Sequence, residues 1–236
     1  MGMRRLFSSC MLAVSALMAV THMAAQDGAV SLQHNYQTLL DNEQMQVVHV
    51  HYGPHEELPV HDHSHYPTVY VYLRDSGPVR FIHDGDSPFT LMRRPVRKGW
   101  FRVSPGRIER HQVANLGSGA SDFLRVECKQ IALGKIADEF RYTGSPDLTK
   151  SRVTTDYASP EMVIRRYIVV PGGAEHIAAQ PQGELLIAFT PAIVREHGNP
   201  DQRMAAGSVL WMKANASVEL QTAGATAHVL AIRLLE

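Results

Sequence analysis

Residues 47–79 read VVHVHYGPHEELPVHDHSHYPTVYVYLRDSGPV, and His61-Asp62-His63 at the centre decides the fold. On both sides apolar residues recur at every second position, the period of a β-strand. Residues two apart in a strand project from the same face, so His61 and His63 present their imidazoles together. A metal held at about 2.0–2.1 Å from each nitrogen needs such a pair. It also needs a ligand from another strand, because one extended chain cannot wrap around an ion. A second fragment, residues 99–115 (GWFRVSPGRIERHQVAN), offers His111 for that purpose.

Working outward, the same period recurs along the chain. It predicts strands over Val47–Tyr52, Val69–Leu73, Val79–His83, Trp100–Val103, Arg110–Ala114 and Phe123–Lys129. Clusters of Gly, Pro, Asp and Ser separate them, as at Asp75-Ser76-Gly77-Pro78 and Ser104-Pro105-Gly106. Short strands at regular spacing, with turn chemistry between them, imply an all-β sandwich or barrel. One short helix is expected over Ile131–Phe140. Residues 134–160 are polar and turn-rich and are read as a linker. The pattern then resumes at Met162–Val170, Glu184–Phe189, Ser208–Met212, Ser217–Gln221 and Ala227–Leu235. This half is a faint copy of the first: GWFRVSP and GSVLWMK both start a strand at glycine. The positions matching His61 and His63 hold Ala178 and Gln180, and the one matching His111 falls at Val218 or Glu219. The expected organisation is two β-barrels in tandem, residues 26–133 with a metal site and 161–236 without one.

The two fragments resemble the paired motifs of the cupin superfamily. The first motif is a glycine followed by His-x-His, here Gly53, Pro59, His61 and His63. The second is Gly, five residues, Pro, then His and Asn, here Gly99, Pro105, His111 and Asn115. The resemblance covers residues 44–128 and implies a jelly-roll β-barrel enclosing a divalent metal, with a degenerate second cupin making a bicupin. It also implies possible pairing into homodimers. The family's usual fourth ligand, a glutamate just after the His pair, is missing: Pro67 and Thr68 stand there. The site therefore resembles the three-histidine cupins, which include dioxygenases of thiols and diketones. Three neutral imidazoles leave the full charge on an ion such as Fe, Mn or Zn, which favours an anionic, chelating substrate. His65 and Glu109 are the alternatives for a fourth ligand. Glu109 shares parity with His111 and is the candidate catalytic acid or base; the other reading of it is a surface charge.

Oxygenase, isomerase or lyase chemistry on a small anionic or dicarbonyl substrate suits such a site, and so does a non-catalytic metal- or solute-binding module. The remaining motifs carry less. His49 and His51 mark a half-exposed sheet face or support the ligands from behind. Tyr70 and Tyr72 line the core or position a substrate. Arg93, Arg94, Arg97 and Lys98 form a solvated basic hairpin or a clamp for a carboxylate.

Composition narrows the classes. Nine of the 13 histidines fall between residues 34 and 111, so histidine chemistry belongs to the first half. Lys+Arg and Asp+Glu are 23 each. A balance this even recruits neither nucleic acid nor an anionic membrane. Residues 1–25 read as a signal peptide: Arg4 and Arg5, an apolar run from Leu6 to Val20, and Met23-Ala24-Ala25 as cleavage site. The expected location is periplasmic or secreted, with no membrane span once the signal is removed; the alternative is an uncleaved anchor. Beyond it Cys128 is the single cysteine, so no internal disulfide forms and the core must supply stability.

Overall fold

The computed structural model describes residues 32–85 and 87–235, and among these there are strands and turns but no helix. The expected signal segment lies outside the described residues. Among those described, no helix is long and apolar enough to cross a membrane.

The first half builds two facing sheets. The larger runs in the order β1 (Tyr36–Asp41), β2 (Met45–Tyr52), β9 (Ser121–Cys128), β4 (Thr68–Tyr72), β7 (Phe101–Ser104) and β10 (Phe140–Tyr142). The smaller runs β3 (Glu57–His63), β8 (Glu109–Asn115), β5 (Val79–His83), β6 (Phe89–Arg93). In the second half, β11 (Arg152–Ala158), β12 (Met162–Val169), β19 (Ala227–Leu234), β14 (Glu184–Ala188) and β17 (Val209–Met212) form the larger sheet. Its partner is β13 (Ala174–Ile177), β18 (Val218–Thr222), β15 (Ala192–Glu196), β16 (Gln202–Met204). The strand order of the first half recurs in the second, each strand ten places on, with β10 as the one addition. Tandem jelly rolls account for that repeat.

Alternation along each strand divides the side chains between three cores. In β9, Phe123 faces the interior of the first half with Val50, Tyr52, Leu58, Val79 and Val113. Its alternate residues Leu124, Val126 and Cys128 face the other way and join Met162, Ile164, Leu185, Ile187, Leu230 and Ile232 from the second half. The two large sheets thus pack back to back across a shared apolar layer. A third core fills the second half, with Tyr167, Ile177, Leu186, Val194, Met204 and Leu220. The Cys128 thiol is buried in the shared layer, and burial, reinforced by Glu127, pushes its pKa up to about 12.

Polar side chains also cross between the halves. Arg166 is 1% exposed and reaches Asp156 (2.6 Å), His228 Nε2 (2.6 Å) and the Gly99 carbonyl (3.0 Å). Its guanidinium also lies 4.4 Å from the Tyr142 ring centre.

The helix expected over Ile131–Phe140 does not form. Ile131 and Ile136 instead plug the shared core from a run of turns, with Gly134 at φ 82°. Residues 134–160 carry structure as well as turns: β10 closes the first large sheet against β7, and β11 opens the second against β12.

Candidate metal centre

His61, His63 and His111 come together, their ligand nitrogens all within 4.8 Å of one another. Register brings them there: β3 pairs antiparallel with β8, His61 opposite His111. Strict alternation from the buried Leu58 would turn Val60 inward and both histidines out. A register shift between Leu58 and His61 corrects this, leaving Val60 41% exposed. A bulge adds one residue to a strand and re-aims the side chains beyond it, and Pro59, with no N–H to give, sits where it forms.

Hydrogen bonding prepares the imidazoles unequally. His61 Nδ1 donates to the Pro59 carbonyl (2.8 Å), which leaves a lone pair on Nε2. Tyr36 lies 2.8 Å from that nitrogen, with Tyr52 3.2 Å from the Tyr36 hydroxyl. Burial, then the neighbouring Tyr52, holds the Tyr36 pKa far above the ordinary phenol value, so Tyr36 keeps its proton and donates. His111 Nδ1 is buried with no hydrogen-bond partner, 4.0 Å from Glu109 Oε2. Its Nε2 turns to the cluster, 3.2 Å from His63 Nε2. On His63 the relation is reversed, because Arg125 Nη1 lies 2.5 Å from Nδ1 and a guanidinium can only donate. Nδ1 must accept, so the His63 proton sits on Nε2 and points at His111.

All three rings are neutral. Burial lowers the pKa of each, taking His111 down to about 3 against the opposing pull of Glu109. On His63, Arg125 and the neighbouring histidines add to the effect of burial. The donor set suits a divalent ion of borderline softness. His61 and His111 carry their lone pairs on Nε2, that of His61 accepting from Tyr36, and His63 would do the same once its proton moves from Nε2 to Nδ1, which requires Arg125 to turn away.

The other candidates separate. His65 is exposed and stacks on Tyr66, away from the cluster. Glu109 is 8% exposed rather than a surface charge. It lies behind His111, not among the cluster nitrogens. Burial would raise its pKa, but the Arg107 hydrogen bond (2.7 Å) and charge outweigh this and keep it ionised. His49 and His51 point away from the cavity, onto Asp122 on the opposite face of the sheet. Tyr70 and Tyr72 line the cavity. Among the described residues, the second half brings no comparable group of ligands together.

Sequence reading missed Tyr36 and Arg125. Tyr36 sits on an edge strand with no clear alternation. Arg125 did leave a signal: Phe123, Arg125 and Glu127 share the inward face of β9, so a buried charge pair was readable there. The cavity reaches from His63 and His111 past Tyr52, Tyr72 and Phe123 to Arg93.

No family model matches this sequence, and no curated protein matches it either. Solved structures do. AerE from Microcystis aeruginosa superposes with a TM-score of 0.59 at 13% identity, over 85% of this chain and 97% of that one. The cupin 2 conserved barrel domain protein from Leptotrichia buccalis gives 0.52 at 11%, over 84% and 88%. Salicylate 1,2-dioxygenase from Pseudaminobacter salicylatoxidans gives 0.58 at 13%, over 86% and 77%. Identities this low speak for the fold alone, and with the paired motifs and the facing sheets they show that this chain has the cupin fold.

Proposed function

We propose that this protein is an exported, metal-dependent cupin enzyme acting on a small anionic or dicarbonyl substrate by oxygenase, isomerase or lyase chemistry. The observation that carries the reading is the trio of neutral imidazoles with no carboxylate among the ligand atoms, of which His63 and His111 line an aromatic-walled cavity. A divalent ion there would supply a Lewis acid with positions open to a chelating substrate. The dioxygenase of the same fold has been solved with gentisate, a small-molecule ligand of that protein.

The chain's own residues supply the rest. Tyr36 holds a proton within hydrogen-bonding reach of the ligand nitrogen of His61, where it can donate to a substrate oxygen. Glu109 lines the cavity in its ionised form and is the proposed base. Tyr52, Tyr72 and Phe123 exclude water from the walls. Export rests on the pattern of residues 1–25, and pairing of two copies belongs to the same proposal.

One observation favours a second reading, a binding module. Glu109 is tied to Arg107 and Tyr36 to Tyr52, so neither group is free in this conformation. The test is turnover of small keto and hydroxy acids by metal-loaded protein, monitored by oxygen uptake and product analysis. Turnover lost in His61→Ala supports the enzyme. A ligand that binds and returns chemically unchanged selects the module.

A further inference from the structure

Five arginines line the cavity, and four of them have a carboxylate partner. Arg107 pairs with Glu109, Arg125 with Glu127, and Arg102 and Arg141 share Glu139. Arg93 differs. Among the described residues no carboxylate lies within ion-pair distance of it. Its Nη2 donates to neutral groups only: Ser76 Oγ (2.9 Å), Ser121 Oγ (3.0 Å) and the Gly77 carbonyl (3.3 Å). Its Nε lacks an acceptor, as do those of Arg102 and Arg125, so the missing counter-charge is what sets Arg93 apart. A half-buried guanidinium without a counter-charge is costly, and an anion entering the cavity would offset that cost.

Position gives that ligand a shape. In the small sheet, His83 stands opposite both His111 and Phe89, whereas Arg93 stands opposite Val79, four residues further along. At the strand rise, Arg93 lies about 13 Å along the sheet from the level of the imidazoles. The guanidinium sits 5.4 Å from the Tyr72 ring centre and 5.8 Å from that of Phe123, so flat apolar walls separate the two ends.

We propose that Arg93 is the anion anchor of this cavity, holding the carboxylate of a small aromatic acid at the end opposite the three histidines. The inference rests on the cavity being the ligand site, as in the proposed function, but not on the metal. The anchor is a binding group: it fixes which end of the ligand faces the imidazoles. The two serines and the Gly77 carbonyl hold Nη2 and so fix the plane of the fork.

The test is calorimetric titration of benzoate and of benzamide into metal-free and zinc-loaded protein, for the wild type, Arg93→Gln and Arg93→Lys. Benzoate is expected to bind both metal states of the wild type, at least tenfold more tightly than benzamide. Arg93→Gln should lose that preference and keep its zinc stoichiometry, and Arg93→Lys should keep part of it. Benzoate binding that needs zinc and survives Arg93→Gln would place the carboxylate on the metal and overturn the anchor. Equal affinity for acid and amide in the wild type, or binding of neither, also overturns it and requires no variant to fold. A wild type that takes up no zinc but binds benzoate through Arg93 would sink the metal-dependent reading and leave the anchor standing.

Discussion

Arg125 Nη1 sits 2.5 Å from His63 Nδ1, so a cation donates to the outer nitrogen of a histidine whose inner nitrogen faces two others. Metal-bound histidines ordinarily give that outer N–H to a carbonyl or carboxylate, as His61 does to Pro59. Arg125 therefore opposes metal capture at His63. Arg125→Gln, whose amide oxygen can accept from Nδ1, is expected to tighten zinc binding by about tenfold. Competition against a chromophoric chelator measures it; weaker binding in the variant would mean that Arg125 positions the ring for the metal.

Removing Arg125 also strips Glu127 of its partner at 3.1 Å, in a place where both side chains are under a tenth exposed. Breaking one side of a buried pair costs about 3–5 kcal/mol. Arg125→Met should lose stability on that scale, and Arg125→Met/Glu127→Leu should recover most of it. Urea unfolding of the single and double variants decides, and a double variant as weak as the single one speaks against the pairing.

Stability should fall early on the acid side. Burial, then Arg166 and Lys98, lowers the folded His228 pKa to about 3. In the unfolded chain a histidine titrates near 6.5, so between these limits the unfolded state binds the extra proton. Stability is then constant above neutrality and drops below pH about 6.5 by about 1.4 kcal/mol per unit for each such histidine. Metal-free His111, with a pKa of about 3, acts in the same direction. Urea midpoints from pH 8 to 4.5 should bend downward near 6.5. A profile flat until the carboxylate range would contradict a neutral, buried His228.

Gly106→Ala should damage the site from a distance. Gly106 has φ 84°, and a Cβ there would stand 2.5 Å from the His65 carbonyl oxygen and 2.6 Å from Pro67 N. The left-handed conformation alone costs an L-residue about 1–2 kcal/mol. The backbone clash must also move the turn that ends the His61–His63 strand. Both a lower melting temperature and reduced metal content are expected, whereas Gly119→Ala, with open space around it, should change neither.

Much of this molecule was legible in its sequence, for identifiable reasons. Strands that bury one face or both, such as Val47–Tyr52 and Ala227–Leu235, carry alternation or unbroken apolar runs and fall where expected. Edge strands do not: β1, β6 and β10 bury little, so Tyr36 is passed over and Arg93 is not told apart from Arg94, Arg97 and Lys98. In the sequence Arg93 reads as part of a solvated hairpin or a carboxylate clamp, and only the fold of β6 over Tyr72 singles it out. The helix expected at Ile131–Phe140 failed because its apolar residues answer to the shared core, a tertiary demand that local period cannot reveal. The histidine trio was readable because ligand chemistry fixes residue type and spacing together. Glu109 is readable by its shared parity with His111, whereas Arg125 depends on which face of β9 turns inward.

Elemental analysis of the purified protein, beside a His61→Ala/His111→Ala variant, tests the metal centre most directly. Near one equivalent of divalent metal in the wild type, absent from the folded variant, is the expected result. A wild type without metal after reloading with iron, manganese and zinc, or a variant that retains the full equivalent, would contradict it.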